Sequence, residues 1–222
     1  MKKEKAYWDN VYQKFHQSNP KRLSVWNESS SLFVERLIPF LKQQGVKKVM
    51  DAGCGDGRNI KPLLAAGFTV VGLDISQVAL ANCQKNLKNK KLKLLAEPLE
   101  TKKIKDSSFD AIICDHVLVH IKNTSKVIAN FNRILKKGGY ALIEFTSPQD
   151  STFGQGQKIS PHEFLQNGVY LRYDTIKDIY KLLKKFNILC FTSEYYTDPP
   201  HGAGYIRQAR HLHHSYFVLA KK

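Results

Sequence analysis

The densest chemistry in the chain lies in nine consecutive residues, Asp51-Ala52-Gly53-Cys54-Gly55-Asp56-Gly57-Arg58-Asn59. They stand between an apolar run, VKKVM, and the helix-patterned NIKPLLAAG. Glycine at such a junction lets the backbone turn sharply and lets a ligand approach where a Cβ would collide, so the segment reads as a binding loop for a nucleotide-like molecule. Asp74 ends VVGLD, 21 residues after Gly53. An acid there can accept both hydrogen bonds of a ribose diol and repels a 2′-phosphate. Its plainer use is to cap the helix that begins near Ser76. A third group, Asp115 with His116 and His120 in CDHVLVHI, adds an acid and two side chains that can take a proton near neutral pH.

Details of the loop choose between ligands. The dinucleotide fingerprint G-x-G-x-x-G requires glycine at 58 or at 60, where the chain has Arg58 and Ile60. A carboxylate at position 51 repels a pyrophosphate but attracts the ammonium of a methionine-like moiety, which favours S-adenosylmethionine over a nicotinamide dinucleotide. Methyl transfer from such a cofactor is an in-line displacement in which alignment and exclusion of water supply much of the barrier reduction. A base is needed only where the acceptor must lose a proton. His116, directly at a strand end, is the better placed candidate, with His120 second; packing or capping is the alternative for both. A catalytic role for His116 predicts that His116→Ala lowers turnover more than cofactor affinity.

The elements that must position these residues follow from patterning. VKKVMDAG, FTVVGLD, LKLLAE, FDAIICD and YALIEFTSP read as successive strands, with helices at NIKPLLAAG, SQVALANCQKNLK and SKVIANFNRILKKGG between them. Such β-α-β crossings build an α/β, doubly wound, mostly parallel sheet with its ligand site at the carboxyl ends of the strands. Two helices, around AYWDNVYQKFH and SSSLFVERLIPFLKQQG, precede it. A helix at DTIKDIYKLLKKF and strands at ILCFTSEYY and HSYFVLAKK, joined by the loop TDPPHGAGYIRQARH, follow it as an antiparallel pair. The expected organisation is a single domain over 1–222, with a helical cap at 1–45, a cofactor-binding core at 46–147 and a C-terminal part with an acceptor-site loop at 148–222.

VMDAGCGDGRN, VVGLDIS, FDAIICDHVLVHI and FNRILKKGGYALIEFTSP, in this order and spacing, resemble the motif series of class I (Rossmann-like) S-adenosylmethionine-dependent methyltransferases. Within that superfamily GCGDGRN, the tryptophan-bearing N-terminus and FVLAKK are similar to tellurite-resistance and thiopurine methyltransferase-like enzymes. The resemblance implies a seven-stranded sheet with a reversed last strand and helices on both faces, and S-adenosylhomocysteine as the product. It implies that Asp51, Gly53 and Gly55 border the methionine moiety, that Asp74 holds the ribose, and that Ile75 packs on the adenine; Cys54, Arg58 and Trp26 are further cofactor-binding candidates. Glu97 and Pro98, after the third strand, fall where the family touches the adenine. Asp115 and His116 match the position that closes over the methionine group and faces the acceptor.

Bulk features bound the function more loosely. A net charge of +16 suits nucleic acid or an anionic metabolite, but the lysines are spread along the chain, as a solvated surface would have them. The expected acceptor is therefore a small molecule, with an anionic one suited by the histidines and arginine near the C-terminus (His201, Arg210, His211, His213, His214). An RNA or other nucleic-acid methyltransferase and a non-catalytic cofactor-binding protein remain alternatives. No acidic partner accompanies the histidines at ligand spacing, and strand alternation turns His213 and His214 to opposite faces, so no metal site is expected. Cys54, Cys83, Cys114 and Cys190 form no CxxC pair and read as free thiols in a reducing compartment. MKKEKAYWDN lacks the apolar core of a signal peptide, and the protein reads as cytoplasmic, with no membrane partner. Tyr7, Trp8 and Trp26 are candidates for a lid over the cofactor, or for plain core.

Overall fold

A computed structural model describes residues 2–19, 21, 24–25, 30–198 and 211–222. Two helices, α1 (Lys2–Ser18) and α2 (Leu32–Gln43), precede the alternating region β1 (Lys48–Ala52), α3 (Ile60–Ala65), β2 (Thr69–Asp74), α4 (Gln77–Asn86), β3 (Leu92–Ala96) and β4 (Phe109–Cys114). A single 3-10 turn, Leu118–His120, leads to α5 (Thr124–Ile134) and β5 (Leu135–Thr146). Three short strands follow, β6 (Gln157–Ser160), β7 (Glu163–Gln166) and β8 (Val169–Arg172), then α6 (Ile176–Leu182), β9 (Asn187–Asp198) and β10 (His211–Lys221).

Seven strands form one sheet in the order β3-β2-β1-β4-β5-β10-β9. The pairings β1–β2, β2–β3, β1–β4 and β4–β5 are parallel, and β10 runs antiparallel to both its neighbours. The sheet is thus mostly parallel with one reversed strand, and its central strands are apolar on both faces because both are covered. Val34 and Leu41 of α2, Ile60 and Leu63 of α3 and Leu80 of α4 pack on one face. Val127, Phe131 and Ile134 of α5 and Ile179 of α6 pack on the other. No helix among the described residues is long and apolar enough to cross a membrane.

Two features depart from the sequence expectation. The helix expected to run to the glycine pair ends at Ile134, and Lys136–Gly139 belong to β5. Phe109 pairs with Leu135 and Ala111 with Tyr140, so residues 136–139 bulge opposite Asp110 alone, where Lys136 is paired with the Asp110 carboxylate at 2.6 Å. The second is a three-stranded antiparallel sheet, β6-β7-β8, in the stretch left without elements. Its strands are four residues each, and only Phe164, Val169 and Leu171 are buried, too few to leave a readable alternation. With Tyr173 they form a small core against Phe153 and Val119, which sets this sheet over the 3-10 turn after β4.

Candidate active site

The carboxyl ends of the parallel strands open into a cavity of about 590 Å³. Because β10 is reversed, its first residues, His211 to His214, reach the same edge as the ends of β4 and β5; Ser215 pairs with Thr146 and His213 with Tyr196. The cavity therefore runs across the sheet from β3 to β9. One end is lined by Asp51, Gly53, Gly55, Asp74, Ile75 and Pro98, the other by His116, Thr146, Thr152, Leu171, Tyr196 and His213. Trp8 and Tyr12 of α1 line it as well. A volume of this size falls in the range of roughly 300–1,000 Å³ usual for small-molecule sites.

At the β1–β2 end the wall is mainly backbone. Gly53 (φ +79°) donates its N–H to Leu73 O at 2.7 Å, and a Cβ there would lie 2.4 Å from Val117 Cγ2. Gly55 (φ +52°) donates to Asp74 Oδ2 at 2.8 Å, and a Cβ would meet the Tyr12 hydroxyl at 2.3 Å. Glycine is required at both by conformation and by space. Asp74 also accepts from Ser76 N at 2.8 Å, while Ser76 is the residue that caps α4. Asp74 thus organises the loop and still faces the cavity; burial pushes its carboxyl up to about 6. Asp56 turns away, accepting from Ser24 Oγ and Val25 N and so tying the segment before α2 to the loop.

Asp51 is 2% exposed, and its Oδ2 is buried with no hydrogen-bond partner. Burial first, then the neighbouring Asp115 charge, push its carboxyl up to about 8. An unmatched buried acceptor on a cavity wall is a seat for a cationic group. Cys54 lines the cavity beside it, but its thiol packs into the core, near Ile60 and Gly72. Glu97 lies at the rim, paired with Lys103 at 2.5 Å.

The far end is a side-chain network. Asp115 is bonded by Arg58 at 2.9 Å, by Asn59 at 3.0 Å and by His116 Nδ1 at 3.1 Å. Burial works to raise its carboxyl, but these partners outweigh it and hold it well below the usual range. Ser31, at the N-cap position of α2, makes no capping bond; its hydroxyl lies 3.4 Å from Asp115. His116 has a left-handed backbone (φ +60°), its N–H bonded to Glu144 Oε2 at 3.1 Å. Its Nε2 is 2.6 Å from the Tyr196 hydroxyl. Burial opposes a charge on this ring, yet Asp115 and Glu144 push its pKa up to about 9. Glu144, fully buried on β5, also accepts from Ser215 at 2.5 Å and from Thr146 at 3.1 Å.

The structure brings the sequence-predicted residues Asp51, Gly53, Cys54, Gly55, Arg58, Asp74, Ile75, Glu97, Pro98, Asp115, His116 and His120 to this one cavity. His120 hydrogen-bonds Tyr170 O through Nδ1 at 3.1 Å and packs edge-on against Trp8. Trp26 and most of the C-terminal loop, including His201 and Arg210, lie outside the described residues. His213 and His214 do point apart: His213 lines the cavity, whereas His214 is buried against Ser147. The acidic partner that spacing did not reveal for His213 is Asp150, 63 residues earlier. Tyr196 and Glu144 were also missed. A glutamate inside the apolar run ALIEF was a usable signal; Tyr196 left none. Among the described residues no cluster of acids, histidines and cysteines could hold a metal ion. Three cysteines are buried, and Cys190 is exposed on β9.

A doubly wound sheet carrying a glycine-rich loop after β1, an acid after β2 and a cavity at the strand ends defines a Rossmann-like enzyme of nucleotide-type cofactors. Comparison with known proteins narrows the class. A family model described as a methyltransferase domain matches residues 50–143. The ubiquinone biosynthesis O-methyltransferase of Rickettsia akari (strain Hartford) is 26% identical over 191 residues, covering 81% of this chain and 71% of the relative. A SAM-dependent methyltransferase structure from Methanosarcina mazei superposes with a TM-score of 0.71 at 20% identity, covering 83% of this chain and 97% of that one. A Burkholderia thailandensis 1,6-didemethyltoxoflavin-N1-methyltransferase, solved with 1,6-didemethyltoxoflavin and S-adenosylhomocysteine, superposes at 0.59 with 17% identity, covering 86% and 78%. Residues 50–143 thus match a methyltransferase domain, in a fold shared with solved proteins that use S-adenosylmethionine. The unpartnered Asp51 oxygen fits the cationic methionine end of that molecule.

Proposed function

We propose that the enzyme methylates a hydroxyl oxygen of a small, flat, uncharged acceptor held at the β4–β10 end of the cavity. The observation that carries this reading is the aromatic lining there: Trp8, His120, Tyr196 and His213 border a space continuous with the cofactor end, beside Leu171 of the small sheet. The name of the Rickettsia relative favours oxygen as the atom methylated. Arg58 and His116 already face Asp115, and His213 faces Asp150, which supports a neutral acceptor over the anionic one suited by the sequence.

S-adenosylmethionine supplies an electrophilic methyl group on a sulfonium centre. On this reading Asp51 receives the ammonium, the backbone of Gly53, Cys54 and Gly55 borders the methionine chain, and Asp74 takes the ribose hydroxyls. Ile75, Glu97 and Pro98 flank the base. Arg58 and Asn59 fix Asp115, which in turn orients His116 as a permanent cation rather than a base, since a ring that holds its proton up to pH 9 accepts none at neutral pH. His120 and Trp8 confine the acceptor and exclude water.

The test is transfer of a radiolabelled methyl group from S-adenosylmethionine to catechol, run beside total RNA of the same concentration. Label in methylated catechol is the expected result. Label confined to RNA, or in neither, overturns the reading.

A further inference from the structure

We propose that Asp9 of α1 is a positioning residue for the cofactor: it completes the cap of α4 from across the fold and so fixes the direction of Asp74. This rests on the reading above that Asp74 takes the ribose hydroxyls. Helix α4 opens on Ser76, whose side chain accepts from Ala79 N at 3.1 Å. That satisfies one of the N–H groups that the first turn of a helix leaves without a partner of its own. A carboxylate is favoured at this positive end of the helix, yet the first turn of α4 contains no acid.

The acid comes instead from Asp9, 67 residues earlier in the chain. Its Oδ1 accepts from Ser76 Oγ at 2.7 Å and from Val78 N at 3.3 Å. The first bond turns the serine proton toward α1 and leaves a lone pair for Ala79 N; the second satisfies another N–H of the first turn. Lys5, one turn earlier on α1, holds Asp9 Oδ2 at 2.5 Å. Burial works to raise the Asp9 pKa, but the bonds from Lys5 and Ser76 outweigh it, so the group stands as a carboxylate.

Ser76 carries this contact to the cavity. The residue is fully buried, and its backbone N–H donates to Asp74 Oδ1 at 2.8 Å. The other oxygen, Asp74 Oδ2, accepts from Gly55 N at 2.8 Å, and the Tyr12 hydroxyl of α1 stands against Gly55 where a Cβ would be. Helix α1 therefore braces Asp74 through Ser76 on one side and through Gly55 on the other. Val11 and Phe15 of α1 pack in one cluster with Ala79, which keeps the two helices together. Trp8 and Tyr12 of the same helix line the cavity with Asp74 and Ile75. Loss of the Asp9 carboxylate frays the first turn of α4 and loosens the Ser76 N–H that aims Asp74. By reciprocity, a ligand held on Asp74 tightens α1 on α4 by the same factor.

S-adenosylhomocysteine and its 2′,3′-dideoxy analogue, titrated into the full chain by calorimetry, test this. Asp9→Ala should weaken S-adenosylhomocysteine about tenfold and the dideoxy analogue less than about twofold, because the second ligand has no ribose diol for Asp74 to hold. Asp9→Asn keeps an acceptor oxygen for Ser76 and Val78 and should recover most of the loss. In the ligand-free protein, amide exchange at Ser76 and Val78 should quicken in Asp9→Ala. Equal loss on both ligands would make Asp9 a structural contact without a hold on Asp74, and undiminished affinity for S-adenosylhomocysteine would remove it from the site; either result overturns the proposal. Failure of the wild type to bind S-adenosylhomocysteine at all brings down the cofactor reading itself, and the positioning role with it.

Discussion

The β1–β2 end of the cavity is made of main chain: glycine amides bonded to Leu73 O and Asp74, with one bare carboxylate among them. The β4–β10 end is made of side chains whose partners lie far apart in sequence. His116 and Tyr196 are 80 residues apart, Glu144 and Ser215 are 71, and Asp150 and His213 are 63. The first design leaves a buried acceptor for a ligand to match; the second satisfies its charges internally. On the proposed reading a ligand's charged tail sits at the first end, whereas the second offers shape and ring faces. The consequence is that the two ends should be separable by mutation.

The strongest way to break that separation is Asp51→Asn. Removing one partner of a buried ionic contact costs about 3–5 kcal/mol, so affinity for S-adenosylhomocysteine should fall by ~10²-fold or more in calorimetry. The free protein should melt no lower than the wild type. The sign follows from the carboxyl being pushed up to about 8 from an unfolded value of 3.8: its contribution to stability is present at low pH and lost as pH rises through 8. An amide carries no such liability, and undiminished affinity would remove Asp51 from the site.

Gly55→Ala attacks the same end through the backbone. Its φ of +52° carries a left-handed penalty of about 1–2 kcal/mol for a residue with a Cβ, and the Tyr12 hydroxyl must move as well. Urea unfolding should show at least that loss, together with weakened cofactor binding. Stability equal to the wild type would mean that α1 yields freely and that the backbone wall is not the rigid element.

This contrast also explains what could be read from the sequence. Asp51, Gly53, Gly55 and Asp74 lie on two strand-to-helix junctions, and the chemistry of each is visible within a few neighbouring residues. The sheet was legible for the same reason, since β1, β2, β4 and β5 are apolar runs punctuated by glycine or acid. Asp150 looks like an ordinary turn residue until β10 folds beside it, and Tyr196 like one more aromatic on a strand. The sheet β6-β7-β8 escaped because its strands bury at most two side chains each. His116 was found by position beside Asp115, but the second charge that raises its pKa, Glu144, lies 28 residues on, where no local pattern connects the two.

Tyr196→Phe sharpens the comparison from the acceptor side. It removes the hydroxyl that lies between His116 Nε2 and Ser215 Oγ, at a cost of about 1 kcal/mol in stability. Turnover on catechol should drop while affinity for S-adenosylhomocysteine stays within about twofold. Parallel loss of both would show that the two ends are coupled through the network.

The last comparison concerns the charge on His116. Its pKa is pushed up to about 9 against the opposing pull of burial, by Asp115 first and Glu144 next. A histidine raised above its unfolded value of 6.5 stabilises fully below that pH, and the contribution disappears as pH rises through 9. Asp51 titrates in the same window with the same sign, so the comparison has to be made on an Asp51→Asn background. There, thermal melts from pH 6 to 10 should decline, and adding His116→Gln should flatten the decline. Through linkage a shift from 6.5 to about 9 corresponds to a decline of at most about 3 kcal/mol between pH 6 and 10. Identical slopes with and without His116 would mean that the folded protein does not hold its proton above pH 6.5, which would return it to candidacy as a base.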